Sequence, residues 1–259
     1  MPSLHLKDAQ IRYELEGPNS APVLVFSNSL GTNLEMWQPQ VPTLQQNLRV
    51  LRYDTRGHGQ SSVTPGPYSI ARLADDVIAM LDQLGVDRVC FCGLSMGGMI
   101  GMFLAAKFPR RLDRLVLSNT APKIGTAESW NHRIETVRQK GMGGVVEAIL
   151  ERWYTPPFRT RSPGVVEWTR QMLLHTPPDG YCACCAAIRD ADLWQTMADL
   201  PVPTLVIAGA QDPATSAAEG RQMAEYIPGA QYLELAAAHL SNIEAEEAFT
   251  TSVARFMAA

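Results

Sequence analysis

Gly93-Leu94-Ser95-Met96-Gly97 sets a serine between two glycines, after the apolar run Val89 to Cys92 and before a helical pattern that starts near Met96. Small residues two before and two after the serine permit a strained strand-to-helix turn that lifts Ser95 Oγ above the strand, over the N-terminus of the helix. A nucleophile needs that exposure. A serine hydroxyl is nonetheless weak until an imidazole takes its proton, and of the five histidines His239 is best placed. It follows the strand-like run Gln231 to Leu235 by a short Ala-rich loop, and Ile243 onward reads as the last helix. His5 belongs to the first strand, His58 to the Gly57-His58-Gly59 turn, and His132 and His175 to a central helical region. The imidazolium formed during attack needs a carboxylate to fix its tautomer and stabilise its charge. Asp212, three residues after the run Thr204 to Gly209, completes the chain order Ser95, Asp212, His239. The turn after Leu115 to Ser118, another position for such an acid, holds Asn119, which cannot carry the charge. A tetrahedral oxyanion needs two N–H donors. We assign them to Met96 and, by register in the loop Ser27-Asn28-Ser29-Leu30-Gly31-Thr32, to Leu30.

The elements that must position these residues alternate. Ile11 to Leu15 and Arg49 to Tyr53 read as strands, and Val23 to Phe26, Val89 to Cys92, Leu115 to Ser118 and Thr204 to Gly209 are apolar runs of strand length. Ile70, Leu73, Val77, Leu81 and Leu84 repeat at helical spacing behind Ser69 as N-cap, and Gly85 ends the pattern. Strands alternating with helices of ten or more residues imply right-handed crossovers and a mostly parallel sheet covered by helices on both faces. The class is α/β. Between about Pro122 and Asp199 the alternation stops, and helical patterns punctuated by prolines and Gly141, Gly143 and Gly144 take over. We read residues 122–199 as a helical cap inserted into a core of residues 1–121 and 200–259. The cap carries Trp130, Trp153, Trp168 and Trp194, four of the five tryptophans, as a lid over an apolar pocket would. The alternative is that these aromatics only pack the cap onto the sheet.

Composition narrows the class of function. With 259 residues, 46% hydrophobic and 19% charged, the chain has the makeup of a globular domain with a large core. A net charge of −4 and the lack of a basic run speak against nucleic acid as a partner. Val89 to Ala106 is uncharged but divides into strand, turn and helix rather than a membrane span. Five cysteines, an odd number, and an N-terminal segment without a charged-then-apolar pattern point to a reducing cytoplasm. Cys182, Cys184 and Cys185 are too crowded to ligate one tetrahedral ion, so no metal is expected.

Together with Arg52-Tyr53-Asp54-Thr55-Arg56-Gly57-His58-Gly59-Gln60-Ser61, the Ser, Asp and His above resemble the α/β-hydrolase superfamily over essentially the whole chain. More narrowly, Asn28-Ser29-Leu30-Gly31, Arg152-Trp153-Tyr154-Thr155-Pro156 and the segment Cys184 to Leu193 resemble the 3-oxoadipate enol-lactonases. That resemblance implies an α/β-hydrolase fold and hydrolysis of 3-oxoadipate enol-lactone to 3-oxoadipate in the bacterial β-ketoadipate pathway, without metal or organic cofactor. Such a partner is a small lactone bearing a carboxylate, which an apolar pocket alone would leave unpaired. Arg133, Arg152 and Arg189 in the cap are alternative cations for it, with Trp130 and Trp153 as candidate pocket walls. A related esterase or cofactor-free perhydrolase would share the same triad, and a non-catalytic binder of small lactones would share the scaffold. Oligomeric state is not encoded in these patterns.

Overall fold

The computed structural model describes residues 2–198 and 200–258, so Asp199, the last residue of the expected cap, lies outside the described residues. Its centre is an eight-stranded sheet in the order β1-β2-β4-β3-β5-β6-β7-β8. β1 (Ser3–His5) pairs antiparallel with β2 (Gln10–Glu16), which pairs antiparallel with β4 (Arg49–Tyr53). β3 (Val23–Ser27), β5 (Val89–Leu94), β6 (Leu112–Ser118), β7 (Thr204–Gly209) and β8 (Gln231–Leu235) run parallel with β4. β3, β5 and β7 are buried along their whole length, which is why they read as unbroken apolar runs. β5 runs two residues further than the sequence pattern suggests and β6 starts three earlier. Pairing of Gly93 with Leu117, Leu94 with Ser118 and Val89 with Leu112 holds these ends despite the glycine and the exposed Asp113.

The helices are α1 (Val41–Leu44), α2 (Ile70–Gln83), α3 (Met96–Lys107), α4 (Ala127–Lys140), α5 (Val146–Trp153), α6 (Pro156–Arg161), α7 (Pro163–Leu174), α8 (Pro178–Arg189), α9 (Trp194–Met197), α10 (Ala217–Tyr226), α11 (Ser241–Glu244) and α12 (Glu246–Ala258). Ser69 caps α2 by accepting from the Arg72 N–H, and the helix buries Ile70, Leu73, Val77 and Leu81. Sheet register shows that both faces are covered. Phe26 pairs with Cys92, and its ring stacks on Trp37, which in turn meets Phe249 of α12. Phe91, one residue out of phase and therefore on the opposite face, abuts Gly101 of α3. Between β6 and β7 the described residues form the helices α4 to α9 and a short 3-10 helix at Met142–Gly144, with no strand. The C-terminal end departs from expectation, because the single helix read from Ile243 onward is two. Ser241 and Asn242 bond inward, to Asn119 Oδ1 and the Met36 carbonyl, and the chain must turn at Ala245 (φ −119, ψ 47) before α12 can begin.

Candidate active site

Ser95 joins β5 to α3 with φ 59 and ψ −115, backbone space that L residues rarely occupy. The turn closes because its neighbours lack side chains. A Cβ on Gly93 would lie 2.1 Å from the Gly97 carbonyl oxygen, and one on Gly97 would lie 2.1 Å from that of Ser27. The Ser95 N–H donates to the Ser118 carbonyl (3.0 Å), while its own carbonyl accepts from Thr120 Oγ1 (2.7 Å). The strained residue is thus fixed at both ends, with its side chain on the wall of a cavity of about 220 Å³.

His239 lines the same cavity. Its Nδ1 lies 2.8 Å from Asp212 Oδ2. A carboxylate only accepts, so Nδ1 carries the proton and Nε2 is left as the acceptor. Asp212 takes five hydrogen bonds in all: from His239, from the Asn119 side-chain amide (3.0 Å), from the Thr215 hydroxyl (2.7 Å) and from the Ala214 and Thr215 N–H groups. Burial alone would raise its proton affinity, but the charge and hydrogen bond of His239 and the bonds from Asn119 and Thr215 hold it down at about 2. Asn119, at φ 43, stands where an acid could have stood, and instead supports the acid on the neighbouring strand.

The loop after β3 is pinned from several sides. Asn28 O accepts from Gly97 N–H, Met36 Sδ from Ser29 N–H, and His58 Nε2 from Gly31 N–H (2.9 Å). Burial lowers the His58 imidazole to about 4, so it is neutral at physiological pH and can accept. Within the described residues, neither the Leu30 nor the Met96 amide donates to a protein acceptor. Both remain available to an anion.

From the helical region between β6 and β7 the cavity is walled by Trp130, Arg133, Ile149, Arg152, Trp153, Tyr181 and Ile188. The Arg133 guanidinium lies over the Trp130 ring, 4.7 Å from its centroid. Burial, and then the charge of Arg133, lower the proton affinity of Arg152. Among the described residues no carboxylate pairs with either arginine, so two cations line this small cavity without a counter-ion. Arg189 is not brought into this cavity. It bonds to Asp190 and Asn131 and borders a separate surface cleft of about 770 Å³ with Glu135, Arg138 and Cys182. That larger cleft holds none of the Ser95, His239 and Asp212 cluster. Sequence reasoning missed Tyr181, Thr215 and the supporting role of Asn119. Only Asn119 had a signal, its position after β6.

Comparison with known proteins places this geometry in context. A family model described as α/β-hydrolase fold matches residues 22–156. The chain is 43% identical to 3-oxoadipate enol-lactonase 2 of Acinetobacter baylyi, over 99% of this chain and 98% of that one, and 40% identical to enol-lactonase 1 of the same organism, over 91% and 88%. The crystal structure of the enol-lactonase from Burkholderia xenovorans LB400 superposes with a TM-score of 0.98 at 44% identity, covering 100% of both chains.

Proposed function

The chain belongs to the α/β-hydrolase family, and from that premise we propose that it is a serine hydrolase that opens 3-oxoadipate enol-lactone to 3-oxoadipate, a step of bacterial aromatic catabolism through β-ketoadipate. One observation carries the reading. A cavity of about 220 Å³, smaller than the sites of drug-sized ligands, is lined by a serine and an imidazole and also by two guanidiniums that have no acid partner among the described residues. A small lactone with a carboxylate arm matches that set of groups.

His239 Nε2 takes the proton as Ser95 Oγ attacks the lactone carbonyl, and the Leu30 and Met96 N–H groups receive the oxyanion. Collapse breaks the ring C–O bond, and the enol oxygen leaves with the proton from His239. Tautomerisation to the ketone removes the nucleophile that could close the ring again. Water, deprotonated by His239, then releases the second carboxylate and restores Ser95. The substrate's acetate arm lies against Arg133 and Arg152, where binding replaces cation–cation repulsion by charge-assisted hydrogen bonds. All five cysteines are buried and unpaired, which supports work in the cytoplasm. No helix among the described residues is long and apolar enough to cross a membrane.

The test is the ultraviolet decay of the enol-lactone with purified protein, beside a neutral ester and the Ser95→Ala variant. Rapid loss of lactone that depends on Ser95 and is preferred over the ester supports the proposal. Ester hydrolysis without lactone turnover would keep the serine chemistry and discard the substrate.

A further inference from the structure

Glu244 is a buried carboxylate that the reaction above leaves unused. Within the described residues it forms no ion pair with any cation, and its oxygens are taken by neutral donors from two separate segments. The Ala238 N–H donates to Oε2 (2.9 Å), the Thr155 N–H to the same oxygen (3.3 Å), and the Thr155 hydroxyl to Oε1. Ala238 directly precedes His239, while Thr155 is the N-cap of α6 in the helical region between β6 and β7. On the other side of the histidine, the Leu240 N–H donates to the Trp153 carbonyl (3.2 Å). The Trp153 ring lies nearly parallel to the imidazole, with centroids 6.3 Å apart. The backbone on both sides of the base is therefore tied to residues 153–155, once directly and once through a single carboxylate.

A buried charge without a cation is costly, and an apolar side chain would fill the space at lower cost. What a carboxylate does here that an apolar group cannot is accept from three donors at once, on two strands of chain. We propose that Glu244 is a positioning residue that locks the His239 loop to Thr155, so that the alignment of the imidazole with Ser95 follows the seating of the segment beside Arg152. The proposal rests on the Ser95–His239 reading above. Arg152 immediately precedes Trp153 at the end of α5, so a carboxylate held there seats the same segment that holds the base. Substrate binding at Arg152 is thereby coupled to proton transfer at His239.

Three variants test this. Thr155→Val removes the hydroxyl at constant shape, Thr155→Ser restores it, and Glu244→Gln keeps volume while setting an NH2 donor against donors. Thr155→Val and Glu244→Gln each lower kcat on the lactone about 10- to 100-fold with KM changed by less than about threefold, because a small misplacement of a catalytic group costs rate rather than binding. Thr155→Ser stays within about threefold of the parent. Labelling of Ser95 by a small fluorophosphonate, followed by intact mass, slows by a similar factor, since it needs the base but not the arginines. The double variant Glu244→Gln with Thr155→Val loses little more than the weaker single variant, as both break one bridge. Parent-like kcat and labelling in Glu244→Gln, a loss confined to KM, or Thr155→Ser as impaired as Thr155→Val overturns the proposal. If Glu244→Gln does not fold, the valine and serine pair decides. Ser95→Ala and His239→Ala serve as controls, and turnover that survives them overturns the underlying Ser–His reading instead.

Discussion

Arg152→Met separates recognition of the substrate from the chemistry done on it. The guanidinium is half-buried, pushed down in proton affinity by burial and by Arg133, and unpaired with any acid among the described residues. In the free protein it is therefore a liability, and replacing it with an apolar side chain of similar reach should raise stability by about 1 kcal/mol, the low end for exchanging a buried ion for hydrophobic packing. For a chain of this size that is about 2 to 4 °C in Tm. With substrate bound the sign reverses. A hydrogen bond to a charged partner is worth about 1.5 to 3 kcal/mol, so kcat/KM for the carboxylate lactone should fall about 10- to 150-fold. A neutral ester of similar size, p-nitrophenyl acetate for instance, has no carboxylate to lose and should keep its kcat/KM. The assay is a pair of progress curves and a thermal melt on parent and variant. Equal losses on both substrates, or a lower Tm, would refute the reasoning, because they would make Arg152 a structural residue.

Ser95→Ala and His239→Ala should each lower kcat on the lactone by at least about a thousandfold, measured by ultraviolet decay. Asp212, which ordinarily titrates near 3.8, is held at about 2, so its contribution of about 2 kcal/mol is complete above pH 4 and is lost as the pH falls from there toward 2. Asp212→Asn should lack that part of the acid-unfolding curve, and a curve that matches the parent between those limits would contradict the assignment. His58 titrates at about 4 in place of 6.5, so the unfolded chain takes up a proton that the folded protein refuses, and stability declines by about 3 kcal/mol as pH falls from 6.5 to 4. His58→Gln should flatten denaturant-derived stability over that interval, whereas an unaltered slope would place the titration elsewhere.

Local pattern made the core legible. β7 occupies the very run of apolar residues that marks it, and Ser69 starts α2 because its side chain accepts from an orphan N–H of the first turn. Ser95, Asp212 and His239 each stand just after a strand, as expected: Ser95 directly after β5, Asp212 three residues after β7 and His239 four after β8. The partners that hold them were not legible. A sequence asks which side chain could carry a charge, and Asn119 fails that question while answering another, which side chain could brace the acid. Glu244 sits in a run of acidic residues that looks like a solvated helix start, and only the fold turns it inward. Arg189 lies outside the cavity that holds Ser95 for a geometric reason. Tyr181 and Ile188 are two helical turns apart and share the cavity face of α8, whereas the next residue is rotated by about 100° and joins Cys182 and Ala186 on the opposite cleft.

β6 and β7 are neighbours in the sheet, yet the helices α4 to α9 separate them along the chain. Closing so long a loop is slow compared with pairing strands that follow one another more closely. Folding order and chemistry are linked by this arrangement. β3 to β6, with α2 and α3, supply all that shapes the turn at Ser95, while Asp212 and His239 arrive only with β7 and β8. A chain still waiting for its last strands carries the serine without its proton acceptor. On the mechanism proposed above, the hydroxyl therefore gains its activating base only when the sheet is complete.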